Sequence, residues 1–518
     1  MDLKSNQLKI GSLLSYLQMF LGVVISLLYT PIMLKLLGQS EYGLYNTVAS
    51  TISMLSLLSL GFNSGYIRYF SQYKKTNDTE AIWKLNGLFL MIFTLIGLIA
   101  LACGIFLSFN LDIVFSDGLT ESEYFIAKIL MLLLTVNLAI SFPMSVFANI
   151  VSANERFVFL KIISILKTVF GPLVTLPLLL IGLRSIAMVS VTLVIAIITD
   201  GIYIYYVLKK LHNKFVFHGF EKGIFAQLFT YTSFIAINMI VDQINWNVDK
   251  ILLGRFKGTD AVAVYSVGYT LYQHYMMFST SISSVFTPRI HKIVHESADD
   301  IIVLRKRLTE LFIKVGRIQF ILLGLVASGI VFFGKEFITK YWAGSDYADS
   351  YYVTLLLVLP ASIALIQNIG IEVQRAQDKH KFRALVYAGM AIINVLISII
   401  LCKKYGAVGS AVGTALSLIL VNGIVINVYY HLRCNLDVIA FWKSIIRLSV
   451  GLIIPVISGI VLLKYIEINN IYSYLGAILA YIVIYCISMW SLGMNDYEKN
   501  LLANPIKKVV RKIYDKKI

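Results

Sequence analysis

The sequence has few charged residues and few of the side chains on which metal centres and disulfide frameworks depend. Only 14% of its 518 residues are charged, whereas a soluble domain has about a quarter. Its four cysteines, Cys103, Cys402, Cys434 and Cys486, lie in or beside apolar stretches without metal-ligand spacing, which predicts small buried hydrophobic side chains. The sequence therefore indicates neither a soluble globular domain nor a zinc- or disulfide-stabilised one.

Motifs of catalysis are absent from the sequence as well. It contains no Walker A loop, no His-Glu-x-x-His and no Gly-x-Ser-x-Gly, and its seven histidines are dispersed. No soluble segment is long enough for a nucleotide-binding domain, which disfavours an ATP-hydrolysing pump. We therefore expect no enzyme activity, no catalytic residue, no metal and no cofactor.

Long apolar runs are what the sequence has in abundance. It is 58% hydrophobic, with a mean hydropathy of +0.79. Runs of about 20 apolar residues can each cross a hydrocarbon core about 30 Å thick, and backbone groups inside lipid must be satisfied within helices. The pattern predicts an all-α polytopic membrane protein with about 14 transmembrane helices.

The net charge of +17 is explained by membrane topology rather than by nucleic acid. Lys and Arg concentrate in alternate loops and in the C-terminal tail, whereas the loop at 109–122 contains acidic residues and no basic one. Positively charged loops remain on the cytoplasmic side of a membrane. Both termini are therefore predicted to be cytoplasmic, with no nucleic acid as partner.

Two stretches of the chain are alike and predict an internal repeat. YTPIMLKLLGQSEYGLYNTV (Tyr29 to Val48) and NWNVDKILLGRFKGTDAVAVYSVG (Asn245 to Gly268) each read as an apolar helix ending in Leu-Leu-Gly, a polar turn, and a second helix. Both copies run from inside to outside, so the halves are predicted to be parallel repeats beside one central path. The predicted parts are an N-terminal lobe of six spans (1–208), a cytoplasmic linker (209–224), a C-terminal lobe of six spans (225–432), two further spans (433–491) and a basic cytoplasmic tail (492–518).

The seventh span has the clearest polar stripe. Asn238, Asp242, Asn245 and Asp249 are spaced by 4, 3 and 4 residues and so share one helix face. A charge at mid-bilayer costs roughly 2.5–3.5 kcal/mol, so Asp242 must face protein or water. We interpret the stripe as a cavity lining that contacts substrate or a coupling cation; an interhelical hydrogen-bond network is the alternative. Asp242 and Asp249 are the ion-coupling candidates, although Asp249 lies near the outer end, where solvation explains it more easily.

Matched arginines and a tyrosine stripe complete the candidate substrate site. Arg68 ends a polar stripe in span 2 that includes Asn46, and Arg289 lies at a comparable depth in span 8. Guanidinium groups bind phosphate oxygens bidentately, although each arginine alone is explained equally well by snorkelling. Tyr269 and Tyr272 share a face of span 8 with Tyr265 and suit sugar rings, but are also typical of membrane interfaces.

The sequence resembles the polysaccharide transporters, the Wzx-type flippases of lipid-linked oligosaccharides. The resemblance lies in KIGSLLSYLQMF, LYTPIMLKLLGQSEYGLYN, the Gly-Tyr-Ile-Arg-Tyr-Phe of span 2, VDKILLGRFKGTDAVAVYSVGY and AQDKHKFRA. The superfamily includes MATE multidrug exporters and lipid II flippases, and it implies two lobes of six helices plus two.

The resemblance implies a function that fits the predicted path. The protein would flip undecaprenyl-pyrophosphate-linked repeat units from the inner to the outer leaflet of a bacterial cytoplasmic membrane, by alternating access, for capsule, O-antigen or exopolysaccharide. A polysaccharide polymerase, other assembly proteins and H⁺ or Na⁺ would be its partners. A cation-coupled multidrug exporter and a lipid II-type flippase are alternatives, and a membrane glycosyltransferase or ligase is a third class, disfavoured by the short outer loops.

Overall fold

The structure is a computed structural model that describes residues 3–115, 119–220, 223–297, 299–465, 470–501 and 503. These residues form helices and short connections, without a β-strand among them. Helices satisfy their own backbone hydrogen bonds, as crossing a membrane requires. The predicted all-α membrane class is confirmed. From residue 504 onward, the predicted basic tail lies outside the described residues.

Seventeen α-helices are found in the described part of the chain. They are α1 (Leu3–Leu37), α2 (Gln39–Met54), α3 (Phe62–Lys75), α4 (Thr79–Phe109), α5 (Glu121–Ala153), α6 (Phe157–Leu180), α7 (Arg184–Tyr205), α8 (Ile224–Lys257), α9 (Thr259–Glu296), α10 (Ile301–Glu336), α11 (Ser350–Ile366), α12 (Ile369–Ala376), α13 (His380–Leu418), α14 (Ile426–Arg433), α15 (Val438–Ser449), α16 (Ile453–Tyr465) and α17 (Ile471–Ser488).

Fewer helices meet the criterion of a membrane span than the sequence predicts. Within the described residues, 10 helical segments are long and apolar enough, and the bent pair α11 and α12 makes an eleventh. Helices α8 and α9 cover the seventh and eighth predicted spans and are not part of this set. One apolar segment, Phe382–Arg433, is broken at Gly406, whose φ is +60°. The count of 14 therefore stays a prediction.

The second predicted span is interrupted in its middle. Between α2 and α3 the chain makes a 3₁₀ turn at Leu55–Ser59, and then Leu60 and Gly61 adopt positive φ angles of 45° and 74°. A Cβ atom on Gly61 would lie 2.7 Å from a methyl group of Ile235. Glycine is thus required both by the left-handed backbone and by the close approach of α8.

The predicted register of the internal repeat is wrong by about one helical turn. The first copy turns at Gly38, directly after Leu-Leu-Gly, but in the second copy Leu-Leu-Gly lies inside α8 and the turn is at Gly258. Gly38 and Gly258 have matching backbone angles, with φ of 80° and 83°. Helix α8 continues through Gly254, where a Cβ atom would lie 2.6 Å from the Thr47 methyl group.

The chain groups into two compact units: residues 1–268 with 387–414, and residues 269–386 with 415–518. The predicted lobes at 1–208 and 225–432 are defined by the sequence repeat instead and stay a prediction. In the first unit, Tyr66, Phe89, Phe93 and Phe142 lie in an aromatic core between α3, α4 and α5. In the second, residues of α10 pack against the last spans, with Phe333 against Tyr474 and Tyr481.

The linker predicted at 209–224 is held against α4 in the first unit. The Tyr66 hydroxyl donates to Asn86 Oδ1 at 2.7 Å, and Asn86 Nδ2 donates to the Lys214 carbonyl at 3.1 Å. The Val216 N–H donates to the carbonyl of Trp83 at 3.0 Å. Asn86 and Tyr66 are fully buried, so this part of the linker is a packed element of the first unit.

Candidate functional site

The polar stripe of α8 passes from an exposed to a buried environment along the helix. Asn238 and Asp242 are exposed, Asn245 is half-buried, and Asp249 is buried with an exposed fraction of 4%. Solvation near the outer end, the easier explanation offered by the sequence, does not describe Asp249 in this structure. Its carboxyl group must be satisfied by protein.

Three hydroxyl groups surround the Asp249 carboxyl group. The Tyr265 hydroxyl donates to Oδ2 at 2.8 Å, Thr414 Oγ1 donates to Oδ2 at 2.8 Å, and Ser410 Oγ donates to Oδ1 at 2.7 Å. All of these residues lie in the first unit. Hydrogen bonds to a charged acceptor are roughly twice as strong as neutral ones, so the arrangement stabilises a buried carboxylate.

A second layer of polar groups supports these hydroxyls. Asn394 Nδ2 donates to Thr414 Oγ1 at 3.4 Å, and Ser398 Oγ donates to Asn394 Oδ1 at 3.3 Å. A methyl group on Gly413 would lie 2.7 Å from Ser398 Oγ, so this glycine lets the two arms of α13 come together. We call Asp249, Tyr265, Ser410, Thr414, Asn394 and Ser398 the Asp249 cluster.

Sequence reasoning missed four members of the Asp249 cluster. Asn394 and Ser398 are four residues apart, as are Ser410 and Thr414, so each pair shares one helix face. Small polar residues at this spacing usually indicate close helix packing. The spacing alone therefore does not distinguish these four residues from ordinary packing residues. Their convergence on Asp249 depends on the break at Gly406, which folds α13 back on itself.

The Asp249 cluster is rich in oxygen atoms and poor in transition-metal ligands. No group of three His, Cys, Asp or Glu side chains suited to a metal occurs among the described residues. Carboxylate and hydroxyl oxygens are instead the ligands of hard cations. The chemistry of the cluster thus suits a hard cation rather than a transition metal.

The two predicted arginines lie in different units. Arg68 is exposed on α3 in the first unit, with its guanidinium carbon 4.3 Å from the centroid of the Tyr231 ring. A cation–π contact of this kind contributes about 0.5–1 kcal/mol at an exposed site. Arg289 is exposed on α9 in the second unit.

The remaining candidates have local contacts. Asn46 is half-buried and donates to the carbonyl of Tyr42 at 2.8 Å, one turn earlier in α2. In the second unit, the rings of Tyr269 and Tyr272 lie 5.7 Å apart between centroids and are tilted by 54°. Tyr269 is buried and Tyr272 half-buried.

The fold defines the class of protein: a multi-pass membrane protein with the architecture of flippases and multidrug transporters. The structure of lipid II flippase MurJ in an inward closed conformation is similar, with a TM-score of 0.68 and 18% identity, over 92% of this chain and 97% of that one. An inward-facing multidrug resistance MATE family transporter of the MOP superfamily has a TM-score of 0.59 at 13% identity, over 85% and 99% of the two chains.

The family follows from the sequence comparison. A model described as polysaccharide biosynthesis protein matches residues 10–294, more than half of the chain, and the chain belongs to this family. A Shigella flexneri protein assigned as an O-antigen transporter is 19% identical over 398 residues, which cover 74% of this chain and 88% of the relative.

Proposed function

We propose that this protein flips lipid-linked oligosaccharides across a bacterial cytoplasmic membrane. Its substrate would be an undecaprenyl-pyrophosphate-linked repeat unit, moved from the inner to the outer leaflet by alternating access for surface polysaccharide assembly. Family membership is the observation that carries this proposal. The fold of a lipid II flippase over nearly the whole chain supports it.

The physical problem is to move a polar head group while its lipid tail stays in the bilayer. Sugar hydroxyls and phosphate charges cannot enter hydrocarbon without large losses of hydration free energy. We propose that Asn46, Asn238, Asp242, Asn245, Tyr269 and Tyr272 offer polar contacts to the sugars. Arg68 and Arg289 would bind the pyrophosphate through charge-assisted hydrogen bonds.

Transport also needs a driving force, and we propose that the Asp249 cluster couples it to H⁺ or Na⁺. The cluster places a buried carboxylate among neutral hydroxyl donors. A cation that binds there changes the charge inside the helix bundle and can shift the balance between two conformations. Exposed Asp242 on the same face is the second coupling candidate.

Orientation and partners follow the same proposal. Both termini would face the cytoplasm, in accordance with the distribution of Lys and Arg. A polysaccharide polymerase on the outer side would consume the flipped repeat units, together with other assembly proteins.

A deletion strain tests the substrate class directly. Loss of the protein should abolish surface polysaccharide and cause a lipid-linked oligosaccharide to accumulate on the inner leaflet; its sugars identify the repeat unit by mass spectrometry. Unchanged polysaccharide with raised drug sensitivity would contradict the proposal. That result would favour a multidrug exporter, since a structure of similar fold is described as a multidrug resistance MATE family transporter.

Arginine variants test the pyrophosphate contacts in proteoliposomes. Arg68→Ala and Arg289→Ala should each lower flipping of the pyrophosphate-linked substrate by about tenfold or more, because a hydrogen bond to a charged group contributes about 1.5–3 kcal/mol. Arg→Lys variants serve as controls that keep the charge but lose the bidentate geometry. Normal flipping by both alanine variants would show that neither arginine binds the pyrophosphate.

A further inference from the structure

The exposed face of α3 is polar, although α3 belongs to a predicted membrane span. Ser64, Arg68 and Ser71 are exposed, and they lie four and three residues apart, so they share one side of the helix. An arginine in contact with hydrocarbon is costly, and such residues normally face protein or a water-filled cavity. The pattern favours a face that lines a polar path over one that contacts lipid.

Helices α8 and α5 of the same unit flank this face of α3. On one side, the Arg68 guanidinium lies against the Tyr231 ring of α8. On the other side, Asn149 Nδ2 of α5 donates to Asn63 Oδ1 at 2.6 Å. Asn63 and Arg68 are five residues apart, which at 3.6 residues per turn places them about 140° apart around α3. The exposed face therefore has an arginine at one edge and a pair of amides at the other.

The amide pair of Asn63 and Asn149 presents a donor beside an acceptor. Each side chain has an NH₂ group and a carbonyl oxygen, and the bond between them uses one group of each. Whichever amide donates, one NH₂ group and one oxygen remain. In the part of the chain that the structure describes, Ser145 Oγ, 3.3 Å from Asn63 Oδ1, is the only other group that bonds to either side chain. Both asparagines are half-buried, so part of each side chain is accessible.

A donor beside an acceptor matches two neighbouring hydroxyl groups of a sugar. Because a hydroxyl group can both donate and accept, one hydroxyl can accept from the NH₂ group while its neighbour donates to the oxygen. Phosphate oxygens act as acceptors, and apolar surfaces offer neither function. A carbohydrate is thus the ligand class that uses both groups of the pair.

The pair lies close to the residue that we propose for the pyrophosphate. Asn63 precedes Arg68 by five residues, which is about 7.5 Å along α3 at 1.5 Å per residue. Span 2 is predicted to run from outside to inside, so Asn63 lies farther from the cytoplasmic surface than Arg68. A head group whose pyrophosphate contacts Arg68 therefore has its first sugar at the level of the pair.

We propose that Asn63 and Asn149 form a carbohydrate subsite that holds two neighbouring hydroxyl groups of the sugar next to the pyrophosphate. This inference rests on the proposed transport function and on the role proposed for Arg68. A site built to hydrogen-bond a hydroxyl group discriminates strongly against an analogue that lacks it. The subsite therefore selects lipids that carry the sugar over undecaprenyl pyrophosphate alone.

Binding of two lipids to the purified full-length protein tests this assignment. The probes are the lipid-linked oligosaccharide extracted from the deletion strain and undecaprenyl pyrophosphate, which has no sugar. Asn149→Leu and Asn63→Leu should each weaken binding of the first lipid about tenfold, the loss expected for one or two hydrogen bonds, and should leave binding of the second lipid unchanged. Arg68→Ala should weaken binding of both lipids.

Gln243→Leu is the matched control for a purely structural role. Gln243 is also half-buried, and its amide joins α8 to the turn between α2 and α3, since Nε2 donates to Ser56 Oγ at 2.9 Å. This variant should lower the thermal midpoint without changing the binding of either lipid. Because the two asparagine variants lie on different helices, either one carries the test if the other fails to fold.

The outcomes separate this inference from the proposed function. Asparagine variants that keep the wild-type preference for the sugar-bearing lipid would overturn the subsite, and so would a wild-type protein that binds both lipids equally. A wild-type protein whose sugar preference is lost in Asn149→Leu, but which does not flip the lipid, would retain the subsite and lose the proposed function. Normal flipping with an unchanged sugar preference in both variants would do the reverse.

Discussion

Two buried carboxylates, one in each unit, are accommodated in opposite ways. Asp249 in the first unit is 4% exposed and accepts bonds from Tyr265, Ser410 and Thr414. Glu498 in the second unit is 3% exposed and accepts bonds from Arg317 Nε at 2.5 Å and from Nη2 at 2.9 Å. One carboxylate therefore has hydroxyl donors, whereas the other has a bidentate guanidinium partner.

The difference between the two carboxylates bears on the coupling role that we propose for Asp249. Arg317 also donates to the carbonyls of Ser444 and Gly493 at 3.1 and 3.0 Å, so the ion pair joins α10 to α15 and to the segment after α17. Such a pair has many fixed partners. Hydroxyl groups, by contrast, can rotate and act as donors or acceptors. The coupling that we propose for the Asp249 cluster requires this property.

The largest expected effect comes from breaking the ion pair. Arg317→Met leaves the Glu498 carboxylate buried without its partner, which should lower the free energy of unfolding by about 3–5 kcal/mol. Thermal unfolding of the purified protein in detergent measures the loss. Arg375→Ala, which breaks the Glu372–Arg375 pair whose arginine is exposed, is the control and should cost about 0–1 kcal/mol. Equal losses in the two variants would contradict the role of burial.

Removing the charge of Asp249 is expected to have the next largest effect on stability. Asp249→Asn keeps the shape but weakens three hydrogen bonds, which should cost about 3 kcal/mol. Because the coupling charge is lost as well, flipping in proteoliposomes should fall about tenfold and lose its dependence on an imposed ion gradient. If flipping by Asp249→Asn still depended on the ion gradient, Asp249 would not be the coupling residue, and Asp242 would be the remaining candidate.

A tyrosine pair on α9 tests whether Asp249 is ionised. Tyr265→Phe removes a hydrogen bond to the carboxyl group and should cost about 1.5–3 kcal/mol if the group is charged. Tyr275→Phe is the matched control, because the equally buried Tyr275 hydroxyl lies 2.7 Å from neutral Ser362 Oγ, and should cost about 0.5–1.5 kcal/mol. Equal losses in thermal unfolding would indicate a neutral Asp249.

The smallest effect is expected at an exposed carboxylate. Glu296, at the end of α9, lies 3.1 Å from Arg307 and 3.5 Å from Lys292, and the hydrogen bond from Arg307 holds the pKa of Glu296 below its usual 4.5. Because the pKa is lowered on folding, the stabilisation is present above about pH 4.5 and is lost as the pH falls through the folded pKa.

Comparing the wild type with Glu296→Gln as the pH is lowered checks the direction. The difference in thermal midpoint should be small and should vanish once the pH lies below the lowered, folded-state pKa of Glu296, where the carboxyl group is protonated in both states. A difference that grew as the pH fell would contradict the assignment to the Arg307 contact.

Much of the fold was predictable because its signals are local. Apolar runs predict helices in lipid from hydropathy and backbone satisfaction alone, and the membrane class was confirmed. The repeat was visible as well, but its register was not. In the sequence, the Leu-Leu-Gly that ends at Gly254 aligns with the Leu-Leu-Gly that ends at Gly38. The backbone of the second copy turns four residues later, at Gly258, and Gly254 is helical and packs closely against Thr47.

The site was predictable only in part. The α8 stripe follows from spacing, since residues three or four apart share a face. Nothing local distinguishes Ser410 and Thr414 from ordinary packing residues, and only the bend at Gly406 brings them to Asp249. Partners that are far apart in the chain are brought together by tertiary contacts. The periodicity of a single sequence does not reveal such contacts.

By itself, then, the sequence determined the membrane class, the helical character of the chain and the polar face of α8, because hydropathy and helical periodicity act over short stretches of chain. The internal duplication and the number of spans stay predictions. The tertiary structure alone decided that hydroxyl groups surround Asp249 and that Glu498 pairs with Arg317. It also decided that Gly43 packs against Thr259 and Gly254 against Thr47. These pairings join residues far apart in the chain, and their energies depend on burial, which arises only when the helices pack.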